Sequence, residues 1–443
     1  MKVCITLLMG LIPAAFIMGA ATESAAFHNG GVGPCEGCHS MHNSFQGVPV
    51  NGKPASQPYL LREADASSTC LYCHQHAGDT GPTTFHVSTP DSELVTMPPK
   101  QLAPGGDFGW LKKSYSWRVS ESDLTIYTSP GDRHGHNIVA ADFLYLADAA
   151  NSSAPGGNYP ATAFSCISCH DPHGKYRRNK DGSIATTGKP VFSTGSFASS
   201  PDPGDNTAVG VYRLLGGNNY QPRSLAGLYQ FVNNPPAAVT PDTPNRAEDA
   251  TQTRVAYGSG MSEWCQNCHP TMHTPSGDLG PTNLLHAAGS AAKFVQPYRD
   301  NYNKYINAGN ILAIPDPSTS YLSLVPFEEG SANYTDLKAH AKTDDTNLAG
   351  PDAASQVMCL SCHRAHASGW DGMTRWNAVT GLIVSNGTVS TGSYAQEGEA
   401  YQPYGQGRPE LDALRAYYNR PETYFAPVQD TLCNKCHLSP PYQ

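Results

Sequence analysis

Along most of this chain, apolar and polar positions follow one another without a sustained period. The exception is the start: behind Met1-Lys2 an apolar run extends from Val3 to about Ala21, followed by small residues with Ser24 and Ala26 in A-x-A-like positions. That pattern reads as a secretory signal peptide, residues 1–26, cut after Ala26, with Ala21 and Ala25 as alternative positions. Pro13 interrupts the run, which sits near the lower limit for a spanning helix. Cys4 lies far from any cleavage position, against a lipid-anchored cysteine. No long apolar run follows, so no transmembrane segment is expected after residue 26. Elsewhere helical periodicity is scarce, and 42 glycines and 36 prolines among 443 residues imply frequent turns. The pattern predicts short helices, little strand and long coil, too few apolar stripes for an ordinary core.

Composition sharpens this. Charged residues make up 15%, against about 25% in typical globular chains. Something other than side chains is expected to fill the middle. The net charge of −9 excludes nucleic acid as a partner, because phosphate binding needs clustered Lys and Arg.

Twelve of the 13 cysteines supply that filling. They form six identical C-x-x-C-H patterns: Cys35/Cys38/His39, Cys70/Cys73/His74, Cys166/Cys169/His170, Cys265/Cys268/His269, Cys359/Cys362/His363 and Cys433/Cys436/His437. This is the attachment signature of c-type haem. Two thiols three positions apart on one turn reach two vinyl groups as thioethers, and the adjacent His comes under the iron as proximal ligand. A zinc half-site, a redox dithiol or a structural disulfide would not repeat a His at the same offset six times. Six haems c follow, about one per seventy residues. The fold class is a multihaem cytochrome c, mostly coil and turns with short helices, wrapped around closely spaced haems on which folding depends.

The histidines reveal a repeat. Three motifs carry a further His three residues on, at His42, His173 and His366, and each is preceded by an isolated His, at His28, His136 and His340. Each is followed later by a plain C-x-x-C-H. Residues 27–443 therefore read as one hexahaem domain of three dihaem units, approximately 27–113, 114–301 and 302–443. The six repeated histidines are the candidate distal ligands, one per haem. A following His cannot easily reach its own iron, so it should serve a neighbouring haem. His76, His86, His134, His273 and His286 lack counterparts in all three units and are assigned to the surface or to haem propionates, with His86 and His286 as the leading exceptions.

Beyond the six motifs, several segments resemble the extracellular multihaem cytochromes that polymerise into conducting filaments. They are Phe27-His28-Asn-Gly-Gly, Gly105-Gly-Asp-Phe-Gly-Trp110, Gly135-His136-Asn-Ile-Val139, His170-Asp-Pro-His173-Gly-Lys-Tyr-Arg-Arg178, Met261-Ser-Glu-Trp264 and Cys362-His363-Arg-Ala-His366-Ala-Ser368. The likeness covers nearly all of the chain after residue 26, most weakly from Gly372 to Asn419; His134 departs from the family's pattern. The resemblance implies bis-His haems in one continuous stack, subunits joined end to end, and respiration to acceptors outside the cell.

The expected function is electron transfer, as a head-to-tail homopolymer that is extracellular or on the outer cell surface, exchanging electrons with redox partner cytochromes and insoluble acceptors. A multihaem reductase is the rival from another class. It needs an open axial position, while here no motif is altered and the histidines suffice to close every iron. A monomeric periplasmic shuttle is the third reading.

Overall fold

The computed structural model describes residues 35–40, 44–45, 48–49, 58–81, 84–118, 125–242, 253–273, 286–306, 310–311, 314–379, 382–385, 388–389, 405–420, 425 and 429–437. The signal-peptide reading, His28 and His42 lie outside them.

Regular structure is sparse, as the patterning predicts. Among the described residues the α-helices are α1 (Cys35–Cys38), α2 (Ala66–His74), α3 (Asp91–Leu94), α4 (Met261–Cys265), α5 (Gln296–Lys304), α6 (Tyr334–His340), α7 (Cys359–Cys362) and α8 (Glu410–Ala416). No helix there is long and apolar enough to cross a membrane. Side-chain caps mark the start of α2 and α6. Asp65 accepts from Ser68 N at 2.7 Å before α2, and Asn333 accepts from Thr335 N and Asp336 N before α6, satisfying amides that have no partner inside the helix.

Strands are two to four residues long and antiparallel. Ala237–Val239 pairs with Ala256–Ser259, and α6 buries Tyr334 and Leu337 on that ribbon together with Val209. The largest apolar cluster gathers Trp110, Tyr115, Phe294, Tyr302, Trp370, Trp376 and Tyr417. A side-chain core therefore exists, and it is aromatic and built from segments some three hundred residues apart. No local periodicity could announce it.

A close crossing lies around Ala367, which bridges to Gly106 on one side and Gly135 on the other. A Cβ on Gly106 would stand 1.7 Å from the Ala367 carbonyl oxygen, and one on Gly135 would stand 2.4 Å from His366 O. Gly106 also holds φ at +96°, a conformation glycine alone adopts freely. These glycines let three strands of backbone meet, and the crossing carries His136 and His366 inward.

Candidate haem centres

In three of the six motifs the grip on the motif's histidine is the same. His39 Nδ1 donates to Tyr59 O at 3.2 Å, His170 Nδ1 to Arg213 O at 2.7 Å and His363 Nδ1 to Gly372 O at 2.8 Å. Around each, two backbone bonds lock motif to turn: Ser40 N to Leu60 O with Arg62 N to Cys38 O, Asp171 N to Leu214 O with Gly216 N to Cys169 O, and Arg364 N to Met373 O with Arg375 N to Cys362 O. The acceptor and the residue after it are left-handed every time, with φ of 57° and 58° at Tyr59 and Leu60, 50° and 54° at Arg213 and Leu214, 65° and 50° at Gly372 and Met373. Two successive left-handed residues turn two carbonyls toward one motif. These three motifs are the ones with a second His three residues on. The clamp turns were not singled out by sequence reasoning; the faint signal is the Leu60-Leu61 and Leu214-Leu215 pairs.

His74 Nδ1 donates to Phe85 O at 2.5 Å and His269 Nδ1 to Pro155 O at 2.7 Å. A carbonyl only accepts, so in all five rings Nδ1 carries the hydrogen and the Nε2 lone pair is left for a metal.

The thiols succeed one another in sequence order. Burial and then neighbouring Cys73 push the Cys38 thiol up, and Cys70 is hydrogen-bonded to Cys166. Burial and then Cys268 raise Cys169, Cys265 is hydrogen-bonded to Cys359, and burial followed by Cys436 and Cys433 raises Cys362. Two serines couple one motif to the next in the same way: Cys166 N donates to Ser67 Oγ and Cys359 N to Ser262 Oγ, each at 3.1 Å. Ser67 and Ser262 both stand three residues before a motif's first cysteine.

Second imidazoles stand beside four of the motif histidines. The centroid separations are 6.3 Å for His39 and His173, with planes 11° apart, 6.2 Å for His269 and His136, 6.5 Å for His170 and His366, and 5.9 Å for His437 and His286. Metal–imidazole bonds of about 2 Å on either side of one ion put trans ring centroids about 6 Å apart. The residues thus fit a bis-histidine iron. Burial, then the neighbouring His269, pushes His136 down to about 4; burial, then His170, pushes His366 down to about 3. Both are held neutral, the form that binds metal. Stacking fixes their planes: Phe108 lies 4.7 Å from His366 and Phe164 5.2 Å from His136.

His340 stands elsewhere than its spacing suggested. At the end of α6 its Nδ1 contacts Glu329 Oε2 at 2.6 Å, and that bond raises its pKa. The imidazole against His437 is His286, an exception already flagged by its distance from any motif. His76 is exposed, and His86 and His134 are buried, so neither of the latter is a surface histidine. His273 lies in the short turn Pro270–His273.

Six thiol pairs in succession, each with its own imidazole and four with a second one an ion's width away, define a multihaem c-type cytochrome with covalently held haem c. No protein-family model matches the chain. It is 51% identical over 430 residues to the C-type cytochrome OmcS of Geobacter sulfurreducens, covering 96% of this chain and 97% of that protein. Two solved structures superimpose on it, both 52% identical and covering 93% of this chain and 99% of theirs. They are the outer membrane cytochrome S filament from Geobacter sulfurreducens, at a TM-score of 0.84, and the OmcS nanowires from the same organism, seen by cryo-EM, at 0.82. The chain belongs to the OmcS family of c-type cytochromes; it is an electron carrier, not an enzyme.

Proposed function

We propose that this cytochrome carries six bis-histidine haems c and polymerises head to tail into an extracellular wire, passing electrons from partner cytochromes to insoluble acceptors. The observation that carries the reading is the unbroken succession of thiol neighbours from Cys38 to Cys436. Haem c supplies a one-electron iron couple; the chain supplies spacing, ring orientation and exclusion of water. The likeness to solved filaments supports the assembly, and the signal-peptide pattern supports export.

In this reading the proximal ligands are His39, His74, His170, His269, His363 and His437. Their respective distal ligands are His173, His28, His366, His136, His42 of the neighbouring subunit, and His286. His286 takes the place of His340 in the set because it is the imidazole beside His437. Each following histidine serves the first haem of the preceding unit. His42 belongs to the first of the three units, and in this reading the iron of His363 takes its second ligand from a neighbouring subunit. A heterologous bond of that kind propagates as a filament unless it closes into a ring.

Replacing His42 with Ala tests this. The variant is expected to keep six haems, open one iron to high spin and lose its filaments under the electron microscope. Filaments as abundant as wild type, with six low-spin irons, would overturn the assignment.

A further inference from the structure

Two of the histidines outside the imidazole pairs are almost wholly buried, His86 at 1% and His134 at 0% exposure. Both rings are fully engaged. His86 donates from Nδ1 to Asp79 Oδ2 at 3.0 Å and from Nε2 to Asp107 Oδ2 at 2.9 Å. Carboxylates only accept, so both nitrogens carry hydrogen and the ring is a cation between two anions. Asp107 is itself pinned by Thr89 N and Gly109 N, each at 2.8 Å from Oδ1. His134 donates from Nδ1 to Trp110 O at 3.0 Å, and its Nε2 meets Ser129 Oγ at 2.8 Å. Ser129 bonds in turn to Asp371 and accepts from Arg408 at 2.9 Å.

Each network ends one residue from a carbonyl that grips a proximal histidine. Phe85, whose carbonyl holds His74, adjoins His86. Gly372, whose carbonyl holds His363, adjoins Asp371. We infer that His86 and His134 are positioning residues that fix the Phe85 and Gly372 carbonyls, and through them the ring plane and basicity of His74 and His363. A firm Nδ1–H···O=C bond makes an imidazole a stronger donor and favours the oxidised metal. Slackening it moves that couple upward. The inference rests on the reading of His74 and His363 as proximal ligands.

The test uses haem-loaded protein with His134→Leu, followed by spectroelectrochemistry and EPR. One of six couples is expected to rise by about tenfold in its equilibrium constant, which is about 59 mV for one electron. All six irons stay low-spin, and the g-values of one change. His134→Gln, whose side-chain amide keeps a polar group for Ser129 Oγ, reverses most of the shift. His86→Lys keeps the cation but not the rigid two-point bridge, so it moves a different couple upward; loss of positive charge alone would move it down. Should His134→Leu fail to fold, Ser129→Ala cuts the link to Asp371 and reads the same couple. Folded six-haem variants with every couple and g-value unmoved overturn the inference. His363→Ala separates it from the ligand reading: one iron leaving the low-spin state upholds that reading whatever the brace variants do. Six irons still low-spin would overturn both.

Discussion

His286 and His340 are both histidines far from a motif, and their surroundings give them different work. His340 is bonded through Nδ1 to a carboxylate that raises its pKa. His286 directs its own Nδ1 to the Ala287 carbonyl at 2.8 Å, leaving Nε2 free near His437. His286→Ala is therefore expected to turn one iron in six high-spin by EPR, while His340→Ala leaves all six low-spin. His86 yields a prediction in pH. Burial lowers its pKa, but Asp107 and Asp79 outweigh that and the net shift is upward. A raised folded pKa means the stabilisation is complete below the unfolded value, about 6.5, and fades as pH rises through the folded value. The denaturant midpoint of wild type should exceed that of His86→Gln most at pH 5.5, and the gap should narrow on the alkaline side of neutrality. A gap that widens with pH would contradict the buried imidazolium.

The elements around the motifs are short because each has one task, to present two thiols and an imidazole. In the motifs Cys166-Ile-Ser-Cys169 and Cys359-Leu-Ser-Cys362, the inner serine bonds back to the amide before the turn, Ser168 to Ser165 N at 2.9 Å and Ser361 to Met358 N at 3.1 Å. That much is local chemistry, set within a single turn. The left-handed clamp turns were not legible. Tyr59, Leu60, Arg213, Leu214 and Met373 are ordinary side chains forced to positive φ by what they grip, at about 1–2 kcal/mol per residue. Glycine substitutions separate strain from sterics. Gly372→Ala puts a Cβ in open space, so only backbone strain remains, about 1 kcal/mol. Gly106→Ala drives a Cβ into the Ala367 carbonyl and is expected to cost about 3 kcal/mol or more, displacing His366 from the iron of His170. Thermal unfolding and a high-spin EPR signal confined to Gly106→Ala check the pair.

At the scale of the whole molecule, rings and ribbons join distant segments. Tyr115 bonds to Asp412, 297 positions away, at 2.7 Å, and Arg364 donates to Pro104 O across 260 positions at 2.9 Å. The aromatic cluster is real, yet the motif thiols and their imidazoles stand largely outside it. Expression without the machinery that attaches haem c should therefore yield a protease-sensitive chain lacking a cooperative transition; a compact apoprotein with a sharp melt would contradict this. The sequence alone determined the class of cofactor, covalently held haem c, because its attachment signature lies within five consecutive residues. The repeat of a histidine before and after alternate motifs also singled out His136, His173 and His366, but it left open which ring each would face; the structure sets them beside His269, His39 and His170. Only the tertiary structure decided that His286 rather than His340 stands at His437, that the two buried histidines are bonded braces, and that two successive left-handed residues clamp three motifs. Each of these depends on which groups meet through space across tens to hundreds of residues, and neither spacing nor periodicity encodes such encounters.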